Sequence, residues 1–314
     1  MRLYLGIDGG QSSTTALVAG ETGRVLGIGR GGPCNHVAGP EGRTKFFGAI
    51  SACLSEALSQ AGLQQDGATF AAACLGFSGG AADKETYSRQ LIRSAKYRIT
   101  HDAEIALLGA TASEPGIIVI AGTGSMAFGM NQQGRTARAG GWGYLFGDEG
   151  GGLYLTRQAL RAALQLEEGW GLETGLLKAL LNRTGAASAN DLMHTLYGLP
   201  RNQIAGLAPL VSEAAELGDS VAIQILKDAA SQLARYVEGV YRNLFSSNEV
   251  VPVAFVGGVF RSSILLQEFR ACIQRSIGCP VGPPKLSPAA GAVLEALRMD
   301  GNNSALSAVP ESEK

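Results

Sequence analysis

The sequence predicts an α/β protein of two domains, and three observations carry that expectation. The chain has 314 residues, long for a single hydrophobic core. Short apolar runs that read as buried strands alternate with segments of helical period. A pattern of strand, small-residue turn, strand, glycine turn and strand appears at residues 3–30 and begins again at residue 117. That echo is the expected mark of an internal structural duplication.

The elements follow in order. Residues 3–8, 14–20 and 24–30 read as strands, with turns at Gly9-Gly10 and Glu21-Thr22-Gly23. A helix is expected over 41–61, with Phe46, Phe47, Ile50, Leu54, Ala57 and Leu58 on one face. Residues 68–80 are a strand running into a glycine turn, 84–94 a helix, and "YRITHD" a short strand before a helix capped by Thr100 or Asp102. After the second strand pattern the chain reads as mostly helical. Its longest helix, 218–245, aligns Leu226, Ala230, Leu233, Val237, Val240 and Leu244 in a buried stripe. Residues 250–258 form a strand into a glycine turn, and a helix runs from Ser262 to about Ile277. Ser287-Pro288 starts a last helix to about 299, and residues 301–314 are polar and expected to be loose.

Composition narrows the function. Hydrophobic residues make up 46% and charged residues 17%, as in a soluble globular protein. A net charge of −1 with no basic stripe argues against nucleic acid as a partner. Cysteines 34, 53, 74, 272 and 279 form no CxxC pair, which favours reduced thiols in a cytoplasm. The chain enters a strand at once, so no signal peptide is expected, and no apolar run is long enough to predict a membrane span. The 44 glycines are about twice ordinary usage and gather in short turns, where a backbone approaches a ligand closely.

Three such turns end buried strands: Asp8-Gly9-Gly10-Gln11-Ser12-Ser13, Gly122-Thr123-Gly124-Ser125 and Gly257-Gly258. Glycines let backbone amides converge on an anion, and flanking hydroxyls add donors. Each turn alone also suits a plain hairpin. Asp8 repels phosphate but suits a magnesium ion, held through water. No GxxxxGK[ST] occurs, and the GxGxxG at Gly27–Gly32 opens no helix, so neither common nucleotide motif applies. Gly76-Phe77-Ser78-Gly79-Gly80 matches the GxSxG of a hydrolase elbow and lies between strand and helix. A serine hydrolase using Ser78 is therefore an alternative, with His194 and either Asp102 or Asp148 completing it. Asp102, where a strand opens into a helix, is placed either to take a proton from a substrate alcohol or simply to cap the helix. "AGGWGYLFGDEGGG" (139–152) holds seven glycines in fourteen residues. Its Trp142 and Asp148 suit recognition of a sugar's C–H face and hydroxyls, with Asn35 a further polar candidate.

Taken together these residues carry a resemblance. Asp8-Gly9-Gly10, Asn35-His36, Ser78-Gly79-Gly80, Thr100-His101-Asp102, Ala121–Ser125, Gly140–Gly143 with Gly147–Gly150, and Val256–Val259 occur in that order. The chain resembles the N-acetylglucosamine kinases of the BadF/BadG/BcrA/BcrD ATPase family, in the sugar kinase, actin and heat-shock chaperone superfamily. The resemblance implies two ribonuclease-H-like (actin-like ATPase) domains with a central interdomain cleft that closes over ATP and sugar. Their bounds would be 1–113 and 114–286, with helix 287–300 returning to the first. Asp8, Gly9, Gly10, Gln11, Ser12, Ser13 and Gly122, Thr123, Gly124, Ser125 would grip the phosphates with Mg²⁺ at Asp8. Gly257 and Gly258 would lie against the adenosine. Asp102 would be the base, and Asn35, Ser78, Gly79, Gly141, Trp142, Asp148 and Glu149 would line the sugar side. Gln11-Ser12 stands where many members have Gly-Thr. The implied reaction is phosphorylation of the 6-hydroxyl of N-acetylglucosamine, in the cytoplasm, by an enzyme that the resemblance makes a homodimer. The tryptophan-bearing loop favours the N-acetylated sugar over glucosamine, and N-acetylmuramic acid and glucose stay open as acceptors. Two further readings remain: an ATPase activase of the same family, disfavoured because no cysteine falls between 75 and 271, and a sugar sensor without transfer activity.

Overall fold

The structure, a computed structural model, describes residues 1–34, 39–64, 66–78 and 82–314. The chain folds into two compact units, one of residues 1–115 and 284–314, the other of residues 116–283.

In the first unit the run Leu3–Gly9 (β1) is the central strand. It pairs antiparallel with β2 (Thr14–Gly20), which pairs antiparallel with β3 (Val25–Gly31). On its other side β1 pairs parallel with β4 (Phe70–Phe77), and β4 parallel with β5 (Ser94–His101). β1 and β2 are buried along almost their whole length, and largely apolar, because both faces of the sheet are covered. Leu3, Leu5 and Ile7 pack with Phe46, Ile50, Leu54 and Leu58 of α1 (Gly39–Gln60). Tyr4 points the other way, into a cluster with Ile105 of α3 (Asp102–Thr111) and Val293 and Leu297 of α11 (Pro288–Met299). Helix α2 (Ala82–Leu91) connects β4 to β5.

The glycines of β3 explain the GxGxxG match without a ligand. A Cβ at Gly27, Gly29 or Gly31 would lie 2.0, 1.9 or 2.2 Å from the carbonyl oxygens of Ala57, Cys53 and Ala49. One face of β3 is therefore bare so that α1 can rest backbone to backbone upon it.

The second unit repeats the plan. β6 (Gly116–Ala121) is central, the antiparallel β7 (Ser125–Met130) and β8 (Thr136–Gly140) lie to one side, and the parallel β9 (Val253–Val256) and β10 (Val281–Gly282) to the other. The two sheet orders, β3-β2-β1-β4-β5 and β8-β7-β6-β9-β10, are the same arrangement, as the echo in the sequence leads one to expect. Where the first unit has α1 after its three-stranded meander, the second has α4 (Gly152–Glu167), α5 (Leu176–Thr184), α6 (Ala189–Tyr197), α7 (Arg201–Ala205), α8 (Pro209–Glu216) and α9 (Ser220–Leu244). Asp219 caps α9, accepting from the amides of Val221 and Ala222 at 3.0 Å each. Leu226, Ala230, Leu233, Val237 and Val240 form its buried stripe, while Leu244 is only half-buried. Helix α10 (Ser263–Ser276) starts at Ser262, whose hydroxyl accepts from Leu265 N.

Two expectations change. Residues 301–314 are docked, not loose: Ser307 exchanges backbone hydrogen bonds with Gly23 and Val25, and buried Glu313 pairs with Arg30 at 2.7 Å. Part of their polarity goes into hydrogen bonds with the β2–β3 hairpin, as where Asn302 Nδ2 donates to Glu21 O at 2.7 Å. The cap of α3 falls on His101, extended at φ −83° and ψ 149°, with no side-chain cap. Thr100 instead turns inward and donates to the carboxylate of Glu104.

The bare face of β3 yields a test. Gly29→Ala drives a methyl into the Cys53 carbonyl and is expected to lower stability by roughly 1–3 kcal/mol, the range for overpacking, read as a reduced denaturation midpoint. A midpoint equal to that of the parent protein would mean that α1 does not rest on β3 as described.

Candidate active site

In the first unit, pairing register decides what stands together. Asp8 pairs with Gly76 and Gly76 with Thr100, so parallel strands β1, β4 and β5 end in line at one edge. The residues that follow the three strands are Gly10, Ser78 and Asp102. The carboxyl ends of parallel strands are where open α/β sheets take ligands, because chain ends and helix starts meet there.

Asp102 is the first residue of α3, and its Oδ1 accepts from the amide of Ala103 at 2.8 Å. Its other oxygen has no hydrogen-bond partner among the described residues. The carboxylate of Asp8 accepts no hydrogen bond among the described residues. Burial pushes its carboxyl up to about 7, helped by the nearby negative charges of Asp102 and Glu313. A desolvated carboxylate near Asp102 and Glu313, with no cation of its own paired to it among the described residues, suits a divalent cation completed by water and phosphate oxygens. Among the described residues no set of three or more His, Cys, Asp or Glu is arranged as a protein-only metal site.

The turn after β1 is closed by Gly10 N donating to Ser13 O at 2.9 Å, and Cys34 N donates to Gly10 O at 3.1 Å. Gln11, Ser12 and Ser13 are exposed, so their donors face solvent. Gly9 is fixed by packing, since a Cβ there would lie 2.3 Å from the Phe77 ring. Ser78 N donates to Gly9 O at 3.2 Å, and its buried Oγ lies 3.5 Å from the same oxygen. That overturns the hydrolase-elbow geometry. Such a serine is exposed on a strained turn, whereas Ser78 is 7% exposed and absent from the non-glycine residues of positive φ. Asn35, His36, Gly79 and Gly80 lie outside the described residues.

In the second unit, the turn Gly122–Ser125 is tied to the loop that follows β8. Gly152 N and Leu153 N, at the start of α4, donate to the carbonyls of Gly122 (2.7 Å) and Thr123 (3.1 Å). The Asp148 carboxylate lies against Gly124, where a Cβ would meet its carbon at 2.6 Å, and accepts from Ser125 N at 3.3 Å. Ser125 is buried and donates its hydroxyl to the carbonyl of Glu149 at 2.6 Å. The carboxylate of Glu149 accepts from Tyr236 on α9, a residue that no motif singles out. Burial, then this contact, pushes the Tyr236 hydroxyl pKa up. Asp148 adopts φ 66°, with Gly140, Gly141, Gly143 and Gly150 also left-handed, which accounts for the glycine content of the loop. Trp142 is exposed, with the Arg138 guanidinium 4.7 Å from its ring centre.

Gly257, at φ 120°, packs on the end of β6, where a Cβ would lie 2.1 Å from Ala121 O. Gly258 begins a short 3₁₀ turn to Arg261. Between this turn, Gly122-Thr123 and helices α7 and α8 is a cavity of about 440 Å³. Small residues such as Ala205 wall it, and Glu216 and Arg261 stand among its polar groups. Sequence reasoning misses the lining from α7 and α8, because these short helices carry no motif.

A model of the BadF/BadG/BcrA/BcrD ATPase family matches residues 5–296. The chain belongs to the BadF/BadG/BcrA/BcrD ATPase family. It is similar to the N-acetylmuramic acid/N-acetylglucosamine kinase of Clostridium acetobutylicum, 34% identical over 86% of this chain and 90% of that one. It is also similar to the N-acetyl-D-glucosamine kinase of Dictyostelium discoideum, 30% identical over 84% and 87%. A solved structure of a candidate N-acetylglucosamine kinase from Chromobacterium violaceum superposes with TM-score 0.73, at 28% identity over 94% and 98% of the two chains. A glucokinase of the ROK family from Streptomyces griseus shares the fold at TM-score 0.53. The actin-like sugar kinase fold is thus the fold of this chain. Among the described residues no helix is long and apolar enough to cross a membrane.

Asp8 generates a stability test. Its folded pKa near 7 lies above the ordinary carboxylate value. The folded state therefore gives up stability as pH rises from about 4 to about 7, by roughly 1.4 kcal/mol for each tenfold difference in proton affinity. In magnesium-free buffer Asp8→Asn is expected to raise Tm by several degrees at pH 8 and by less at pH 5. An equal change at both pH values would show that Asp8 ionises normally.

Proposed function

We propose that the chain transfers a phosphoryl group from ATP to the 6-hydroxyl of N-acetylglucosamine or a related amino sugar. The observation that carries this reading is Asp102, held by a helix start at the edge where β1, β4 and β5 end, in a family whose similar members are amino sugar kinases. A carboxylate with an oxygen to spare accepts the proton of the attacking hydroxyl as the P–O bond forms.

On this reading the cavity beside Gly258 receives the nucleoside, and its volume suits a nucleoside-sized ligand. The amides of Thr123 and Gly124, with the exposed Gln11–Ser13 turn, are the donors for phosphate. The amide and hydroxyl of Ser125 are already committed to Asp148 and Glu149, so we assign Ser125 to holding the turn rather than to the phosphate. Magnesium would be held by Asp8, through water, where it would neutralise phosphate charge. Ser78, Trp142, Gly141, Asp148 and Glu149, together with Asn35 and Gly79, are the residues we assign to the sugar side. The cytoplasm as the compartment and a homodimer as the assembly belong to the same proposal and rest on the family resemblance.

Serine hydrolysis is not favoured, given the burial of Ser78. Among the acceptors, N-acetylmuramic acid stands beside N-acetylglucosamine because the Clostridium relative is named for both.

A coupled assay of ADP release over a panel of amino sugars tests the activity, with sugar-dependent release expected for N-acetylated forms. Asp102→Asn is expected to lower kcat by roughly 10²-fold or more, the range for a lost general base, while calorimetry still detects sugar binding. Near-parental turnover would remove Asp102 from the mechanism.

A further inference from the structure

Lys84 is the third residue of α2 and is 2% exposed. Both facts count against a lysine. Burial strips water from the ammonium, and the first turn of a helix disfavours positive charge. Burial pulls the ammonium pKa down, while Cys34 and Asp102 act in the opposite direction. Among the described residues the ammonium donates to the carbonyl of Ser78 and lies 5.4 Å from the ring centre of Phe77. Phe77 is the last residue of β4, the strand between the one that ends at Asp8-Gly9 and the one that leads to Asp102.

Ser78 is therefore held at both ends of its backbone. Its N–H donates to Gly9 O at 3.2 Å, and its carbonyl accepts from Lys84. The first bond is ordinary turn chemistry. Among the described residues the second commits a buried charge to one backbone oxygen, where an apolar side chain of the same length would avoid the desolvation. Stability alone gives no reason for a lysine here, and perturbed, buried ionisable groups cluster at functional sites.

We propose that Lys84 is a positioning residue for the acceptor sugar: its buried ammonium fixes the chain where it leaves β4, and so fixes Ser78 beside Asp102. This rests on the amino sugar kinase reading. Lys84 acts through Ser78 and does not touch the sugar.

The test compares Lys84→Met and Lys84→Arg with the parent protein, reading KM for N-acetylglucosamine, KM for ATP, kcat and Tm. K84M keeps the length of the side chain and removes the charge and the donor. Its Tm is expected to be equal or higher, its KM for the sugar at least ten-fold higher and its KM for ATP within two-fold. K84R keeps a cation and a donor and is expected to recover part of the sugar KM. If K84M does not fold, K84Q carries the same comparison. An unchanged sugar KM, or a parallel loss of both KM values and of Tm, would overturn the proposal. A parent protein with no sugar-dependent ADP release would instead remove the kinase reading. Calorimetric binding of the sugar to parent and K84M would then still decide the role of Lys84, equal affinities sinking it.

Discussion

The parallel pairing of β1, β4 and β5 is the constraint on which the candidate site depends. Because Asp8, Gly76 and Thr100 lie abreast, the sheet delivers two carboxylates, Asp8 and Asp102, to one edge. The arrangement is unfavourable by itself. Burial and like charge raise the Asp8 pKa to about 7, and a protein selected only for stability would not keep it. On the proposed reading the cost is intelligible, because the edge would receive a cation and a hydroxyl that gives up a proton. Lys84, buried at the end of the middle strand of the three, belongs to the same set of locally unfavourable choices.

The second unit solves a different problem with the same sheet. Its glycine turn leads into a loop whose carboxylates are turned inward. Asp148 rests on Gly124, and Glu149 supplies its carbonyl to Ser125 and its carboxylate to Tyr236. The loop and turn therefore form one braced piece. The left-handed conformations at Asp148 and four loop glycines are the backbone strain that bracing holds in place. The donors of Ser125 serve the protein itself, which narrows the groups left for a ligand to the amides of Thr123 and Gly124 and the lining of the cavity beside Gly258.

Much of this is legible in the sequence because it is local. A strand covered on both faces must be a continuous apolar run, so β1, β2, β4 and β6 can be read directly. The Ser287-Pro288 start of α11 and the stripe of α9 follow from capping and helical period. The GxGxxG at Gly27–Gly32 can be set aside because no helix follows it, although its cause, the close approach of α1, needs coordinates. β10 escapes sequence reasoning because two residues carry no period. Lys84 escapes it because in "ADKETYSRQ" it looks like any solvated helix lysine.

The sequence by itself determined the two repeated strand–turn patterns, the glycine turns at their ends and the acid that closes β1, since hydrophobic period and backbone conformational limits act over a few residues. Only the tertiary structure decided which of those groups are free. That Ser125 and Ser78 are buried, that Tyr236 holds Glu149, that Glu313 of the tail reaches Arg30, and that short helices wall the cavity all depend on segments distant in the chain meeting in space. Burial and hydrogen-bond partnership are properties of that meeting, and no single stretch of residues encodes them.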